Sequence, residues 1–584
     1  MEIIEIPEVK RKRSRRGFGV AFVIIVIVIA LLYIFLNELV GSLLDSFTRR
    51  TVHFSEMEYT RPDSDAIMDM MDEAIYSISN NVDKYSEQLD YLRKLSRERG
   101  TVNTMYALAM IHSSQDTTDQ FYVDEMDFFA DFLPELGKKT EDLLVACAQS
   151  KHREKFERDY WGEDELEDYV DGGTMTEKSV ELEQRAQSLA NQFLVASANP
   201  IVEYNGEKQP FYDMISDGDL SPEDYYGVIS AYYDQYNPIF GDLYVQIVKD
   251  NMEAAKEQGF DSFIDYIYDD YERDYSPEDA ARFAEDIKQY FVPLYRRLSD
   301  DGYYDSKYTG FSCDDELMAS ALEYVADEMG GRVSYIYDFM LEYGLCDFKM
   351  SDKKEQQSYT TYLSDYDAPF IIVNPTGSDD DILTAIHEFG HFTDRYINYG
   401  YDMGIDCGET VSQGLEYLSM FYLDGFINDD DLNVIRAKKL IDTVDVFVYQ
   451  GYLNELETRV YSLSEDEVTL DKINELSAEC AEEFGFDAPA AIPDYYKYSW
   501  IDVPHLYDAP FYVISYCTSC DAALQFYELA EEDRDNAVET YYDLINWDID
   551  QTFTENLQRA GLDSPFDEDS VKECAAAIES YFYE

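Results

Sequence analysis

The sequence predicts a mainly α-helical body with a small β element, preceded by one transmembrane helix. Three observations carry this. From Met57 to about Asp300, apolar residues recur at three- and four-residue spacing between charged ones, the amphipathic helix pattern. Alternating or β-branched runs are few, and Ala368 to Val373 (APFIIV) is the clearest strand. Phe18 to Leu36 is a run of 19 residues without a charge. At 1.5 Å per residue it would be ~28 Å long, close to the hydrocarbon thickness of a bilayer.

The apolar run sets the expected topology. Lys10, Arg11, Lys12, Arg13, Arg15 and Arg16 precede it, and basic flanks stay on the cytoplasmic side. Residues after about 41 are then expected outside. A cleaved signal peptide would have a shorter apolar region and a small-residue cleavage site, and Val40-Gly41-Ser42 fits that poorly. An uncleaved anchor is the reading.

Two helix starts are well marked in the body. Ser221-Pro222-Glu223-Asp224 and Ser276-Pro277-Glu278-Asp279 each place Ser at the N-cap and Pro in the first turn. The acids that follow favour the positive end of the helix dipole. Gly172-Gly173 marks a weak boundary. Asp213-x-x-x-Asp217-Gly218 resembles part of a calcium loop, but Ile215 offers no oxygen at the third position, so it reads as a turn.

Composition excludes some partners. With 122 acidic and 45 basic residues among 584, the net charge is −77. A phosphate backbone is bound by Lys and Arg, so nucleic acid is not an expected partner. The acidity reads first as solubility in an exterior medium. Eight cysteines are too few and too scattered for a disulfide framework. Cys517 and Cys520 form a lone CxxC in an apolar, helix-like run and read as packing.

The chemistry gathers at DILTAIHEFGHFTDRYINY, residues 381 to 399. Ile382, Ile386, Phe389 and Phe392 recur at helical spacing, and Ser378 and Asp381 can cap the start. His387 and His391 are four apart, so both imidazoles can point at one metal ion. Glu388 sits beside them, where it can take a proton from bound water. Catalytic zinc needs a third protein ligand and an open position. The next-turn histidine of another zinc class is absent, because that position is Ile397. Glu409, in the helix-like run GETVSQGLEYLSMFYL, is the leading candidate. Glu416 shares its face, two turns on, and could be the ligand or a partner that orients a His ring; Asp381 could also do the latter. Gly390 costs ~1 kcal/mol inside a helix, which suggests that another segment or a substrate passes close. The strand at Phe370 to Val373 leads into this helix. It is either an edge that binds an extended peptide or plain core.

Several stretches resemble a known family. YDAPFIIVNPTGSDDDILTAIHEFGH (366 to 391), ETVSQGLE (409 to 416) and WIDVPHLYDAPFYVISY (500 to 516) are similar to thimet-oligopeptidase-type zinc metallopeptidases, and within them to the oligoendopeptidase F branch. A weaker likeness runs through GFDSFIDYIYDDYERDYSPEDA (259 to 280). The resemblance implies a large helical bundle with a deep channel that admits short peptides. It implies one Zn2+ per chain held by His387, His391 and Glu409, with Glu388 as general base acting on the zinc-bound water. It also implies substrate or oxyanion contacts from His505 and Tyr512, with Tyr507 as a further candidate. The sequence departs from the family where Asp394 replaces a third histidine and Ile514 replaces a tyrosine. Family members are usually cytosolic, so the anchor is a third departure.

These readings combine into one expectation. Residues 1–17 form a cytoplasmic basic tail, 18–40 a transmembrane signal-anchor, 41–180 an N-terminal helical region and 181–584 a zinc-peptidase catalytic region. The chain is expected to be an exterior-facing endopeptidase of short peptides, single-pass in the cell membrane. The rival readings are a cell-surface peptide-binding protein without catalysis and a zinc aminopeptidase.

Overall fold

The computed structural model describes residues 49–584 apart from 163–164, 168, 171–175, 217–219, 305–309, 356, 402, 550 and 584. The described residues from His53 to Glu584 form one compact unit. No helix among the described residues is long and apolar enough to cross a membrane. This corrects the expected fold, in which a membrane-spanning helix precedes the helical body. The segment assigned to it, 18–40, lies outside the described residues, as do Gly172-Gly173 and Asp217-Gly218. Among the described residues, membrane attachment through such a helix has no counterpart.

His53–Glu584 is mainly helical. Its first helices are α1 (Ser64–Asn80), α2 (Tyr85–Gln115) and α3 (Gln120–Ala148), which pack on one another. Next come α4 (Glu177–Ser197), α5 (Pro222–Glu257), α6 (Phe263–Asp270) and α7 (Pro277–Asp300), with α4 laid along α5. Both marked starts form as expected. The Ser221 hydroxyl accepts from the Asp224 N–H at 3.1 Å, and the Ser276 hydroxyl from the Asp279 N–H at 3.2 Å. α8 (Asp315–Met329) and α9 (Gly331–Glu342) lead into the sheet.

β1 (Ile201–Tyr204) and β2 (Glu207–Pro210) make a separate hairpin. The second sheet has the order β3-β5-β4, with β3 (Cys346–Asp347), β4 (Tyr359–Leu363) and β5 (Ala368–Ile372). β5 pairs parallel with β3 and antiparallel with β4. Every residue of β5 is buried. The expected strand is therefore central, and the edge beside the candidate site belongs to β4.

The C-terminal half holds α10 (Asp380–Ile397), α11 (Ile405–Ser419), α12 (Asp429–Asp445), α13 (Gly451–Tyr461), α14 (Leu470–Glu483), α15 (Val513–Glu532), α16 (Arg534–Ile545), α17 (Phe553–Ala560) and α18 (Ser570–Tyr583). α11 is the pivot. It is buried from Glu409 to Ser419 and packs between α10 and α15. A helix buried on all sides must satisfy its polar groups internally. Gln413 donates to the Ser519 hydroxyl at 2.9 Å, and the Tyr417 hydroxyl lies 2.6 Å from that of Thr443. Cys517 and Cys520 are buried on α15, in keeping with a packing role.

Candidate metal centre

The turn before α10 is fixed by Asp381. Its carboxylate accepts from the backbone N–H groups of Thr376, Gly377 and Ser378 at 3.0, 2.8 and 3.1 Å. Asp381 is thus spent on the helix start and does not orient a histidine. From this start α10 carries His387, Glu388 and His391. α11 brings Glu409 to the same point. One donor atom from each of His387, His391 and Glu409 lies within 4.8 Å of the others.

Gly390 explains how closely the two helices approach. A methyl group there would sit 2.6 Å from the Cα of Ser412, a backbone atom that cannot rotate away. The neighbouring segment is therefore α11, and glycine allows the contact that brings Glu409 within reach of both imidazoles.

The distances suit a tetrahedral ion. His387 Nε2 is 3.5 Å from Glu409 Oε2, and His391 Nε2 is 3.7 Å from Glu409 Oε1. Zinc bonds of about 2.0–2.1 Å set ligand atoms about 3.4 Å apart. Glu409 Oε2 is buried and has no hydrogen-bond partner among the described residues, which a cation would supply. His387 and His391 keep side-chain exposures of 23% and 20%, so the cluster is open on one side. These residues fit a His₂Glu metal set with a free position.

The surroundings orient the donors. His387 Nδ1 is 2.8 Å from Glu416 Oε1, which leaves Nε2 for the metal. Glu416 is therefore the orienting partner rather than the ligand. Lys439 of α12 contacts Glu416 Oε2 at 2.7 Å. Burial raises the Glu416 carboxyl, but Lys439 and His387 outweigh it and hold the group low. Burial lowers the pKa of His387, yet Glu416, Glu409 and Glu388 raise it to about 9. The same carboxylates favour a cation at this point.

Glu388 faces β4. Thr360 donates its hydroxyl to Glu388 Oε2 at 2.8 Å and to the Glu388 carbonyl at 2.9 Å. Burial raises this carboxyl to about 7, the range a proton shuttle needs at neutral pH.

The segment 505–516 borders the cluster. The Tyr512 hydroxyl donates to Glu409 Oε1 at 3.4 Å. The His505 ring lies 5.3 Å from that of Tyr512, and its Nε2 is 3.4 Å from the Tyr516 hydroxyl. His505 and Tyr512 are thus brought to the site. Tyr507 is not. It is buried, stacks on Phe193 at 3.7 Å and donates to the Ile501 carbonyl at 3.2 Å. Ile514 is also buried. Asp394 accepts from Trp547 Nε1 at 3.0 Å and from Asn398 Nδ2 at 2.7 Å, so it serves packing.

Comparison with known proteins follows this geometry. Residues 54–164 match the peptidase M3 N-terminal domain, and residues 332–576 match peptidase family M3. The chain belongs to peptidase family M3. Its likeness runs to the oligoendopeptidase F branch. An oligoendopeptidase F homolog of Borreliella burgdorferi is 26% identical over 207 residues, which cover 33% of this chain and 34% of that protein. The match thus spans about a third of that relative's length. The solved structure of PZ peptidase A with inhibitor 2 superposes with a TM-score of 0.78 at 23% identity, over 90% of this chain and 98% of that one. A putative oligoendopeptidase F from Bacillus anthracis gives 0.72 at 24% identity, over 91% and 98%. These two likenesses concern the fold.

In this M3 chain three further residues that the sequence pattern did not mark reach the cluster or its neighbours. Thr360 lies in a strand too short to stand out, Lys439 on a helix remote in sequence, and Tyr516 among 52 tyrosines. Only the spacing of Tyr516, four residues after Tyr512, gave a signal, since residues four apart share a helix face.

Proposed function

We propose that this chain is a zinc-dependent endopeptidase that hydrolyses internal bonds of short peptides. The observation that carries the reading is the convergence of His387, His391 and Glu409 donor atoms within 4.8 Å, with Glu388 next in sequence to His387. Family membership supports peptide hydrolysis, and two imidazoles with one carboxylate suit zinc. When bound, the ion would polarise the scissile carbonyl and lower the pKa of the attacking water.

The chain's own groups perform the rest. His387 and His391 would hold the ion through Nε2, and Glu409 through its carboxylate. Glu388 would take the water proton and later deliver it to the leaving amine. Thr360 restrains the Glu388 carboxylate, so the proton is exchanged at a fixed place. Tyr512, His505 and Tyr516 supply donors where negative charge develops on the former carbonyl oxygen. We propose further that it acts on exterior peptides, and cleavage of a membrane-impermeant peptide by intact cells would test that setting.

An internally quenched, end-blocked decapeptide tests the reaction. Cleavage should stop with a zinc chelator and in Glu388→Gln, while that variant still binds zinc. Cleavage that survives both treatments would sink the mechanism. An aminopeptidase could not cut the blocked peptide, so cutting also separates that rival.

A further inference from the structure

Phe511, which precedes Tyr512, has φ 62°. Bulky L-residues avoid this left-handed region, so the surroundings must impose it. A buried carboxylate and a half-buried arginine, whose Nε and Nη1 are buried, grip its backbone from both sides. Glu457 on α13 accepts from the Phe511 N–H at 2.9 Å. Arg273, in the turn after α6, donates through Nη2 to the Phe511 carbonyl at 2.6 Å and to the Ser515 hydroxyl at 3.0 Å. The guanidinium lies 4.7, 5.0 and 5.5 Å from the rings of Tyr268, Tyr271 and Tyr275.

The arrangement is costly. Arg273 Nε and Nη1 and Glu457 Oε2 are buried without hydrogen-bond partners among the described residues. Buried polar atoms left unpaired oppose folding. Arg273 belongs to the 259–280 stretch, whose likeness to the family the metal cluster does not use. The polar bonds these two residues do make converge on residues 511 and 515, which flank Tyr512.

We propose that Arg273 and Glu457 are positioning residues for Tyr512. By holding both polar groups of the Phe511 backbone they fix its left-handed conformation. That conformation aims the Tyr512 hydroxyl at Glu409 and sets its ring beside His505 and Tyr516. The kinetic consequence rests on the peptidase reading, whereas the geometric one does not.

Crystal structures and kinetics of the full chain test the proposal. In Arg273→Met and Glu457→Leu, Phe511 should leave the left-handed region and the Tyr512 hydroxyl should leave Glu409. An unmoved turn in both overturns the proposal, whether or not the protein cleaves peptides. In kinetics, Arg273→Met should lower kcat at least about tenfold with KM within about twofold. The loss should vanish in a Tyr512→Phe background, because residues acting as a unit are non-additive. Losses that simply add would mean a structural role and overturn it. Glu457→Gln keeps the acceptor for the Phe511 N–H and should retain wild-type kcat. Should the apolar variants not fold, Arg273→Lys keeps the charge but ends one bond short of Nη2, the atom that holds Phe511 and Ser515. The same fall in kcat at an unchanged thermal midpoint is expected for it, and wild-type kcat would overturn the proposal. A wild-type chain that cleaves no peptide defeats the peptidase reading, and the crystal structures then decide this one.

Discussion

Two helices carry the metal face of the site, whereas a turn carries the tyrosine face beside it. On the metal face, His387, Glu388 and His391 share one helix, and Glu409 comes from the next. Their separation is set by Gly390 against the Ser412 backbone. On the tyrosine face, the backbone around Phe511 depends on Arg273, 238 residues away, and Glu457, 54 residues away. Helical periodicity encodes geometry locally. A strained turn must borrow it from buried polar groups elsewhere, and those groups bring their own titrations and costs.

The largest expected effect comes from that borrowing. Burial raises the Glu457 carboxyl from its ordinary 4.5 to about 8, against lowering by the Phe511 N–H and Arg273. The folded chain therefore binds this proton more tightly than the unfolded chain. The resulting stability is full below pH 4.5 and is lost as pH rises toward 8, by up to about 1.4 kcal/mol per pH unit. Glu457→Gln removes this titration. Urea unfolding from pH 5 to 8 should show a shallower decline for the variant. Asp521 and Asp445, each raised by burial to about 7, act in the same sense and leave both proteins some slope. Parallel curves for the two proteins would show that Glu457 does not titrate in this range.

Function should separate the faces next. Tyr512→Phe removes one hydroxyl donor and leaves His387, His391 and Glu409 in place. The kcat for peptide cleavage should fall by roughly 10²–10³, the cost of losing one oxyanion donor. Zinc content should be unchanged, and a variant that loses zinc instead would join the two faces into one unit. Gly390→Ala attacks the metal face through its helix spacing. Overpacking against a backbone atom should cost about 1–3 kcal/mol in urea unfolding. Gly408→Ala is the control, since a methyl group there would meet only the His391 ring at 3.9 Å. It should be neutral or slightly stabilising, because Ala exceeds Gly in helix propensity. Equal losses at both positions would mean that helix spacing is not what Gly390 protects.

Lys439 tests how far the metal face extends. It contacts Glu416, which in turn holds His387 Nδ1. Lys439→Met leaves Glu416 without its cation and should weaken zinc binding about 10–100-fold, the range for outer partners of metal ligands. Competition with a chromophoric chelator measures this directly. Wild-type affinity would confine the metal face to its ligands and Glu416.

The same contrast explains what the sequence revealed. The helices at Pro222 and Pro277 announce themselves through capping residues, and the HExxH spacing places two imidazoles on one face with Glu388 beside them by helix geometry alone. A zinc ion would need a third ligand, for which the sequence left Glu409 leading and Glu416 open until the structure placed Glu416 on His387 Nδ1. The order of the strands was not legible, since the run Ala368 to Val373 is apolar in either a central or an edge position. Thr360 and Lys439 were not legible either, because each reaches the site from an element whose own pattern carries no sign of the contact. The membrane-spanning helix expected from hydropathy lies outside the described residues, and none of the described helices could serve instead.

Tyr507 gives the smallest effect and the sharpest check on the tyrosine face. A Pro-His-x-Tyr likeness groups it with His505, yet its ring stacks on Phe193 and its hydroxyl donates to the Ile501 carbonyl at 3.2 Å. Tyr507→Phe keeps the stacking and removes that single hydrogen bond. Stability should drop by about 1 kcal/mol, the usual net value of one such bond. The kcat/KM for the blocked decapeptide should stay within about twofold, because the lost bond lies away from the reacting atoms. A loss near that of Tyr512→Phe would mean that the 505–512 segment transmits strain as one piece, and the tyrosine face would then begin at Phe193 rather than at Phe511.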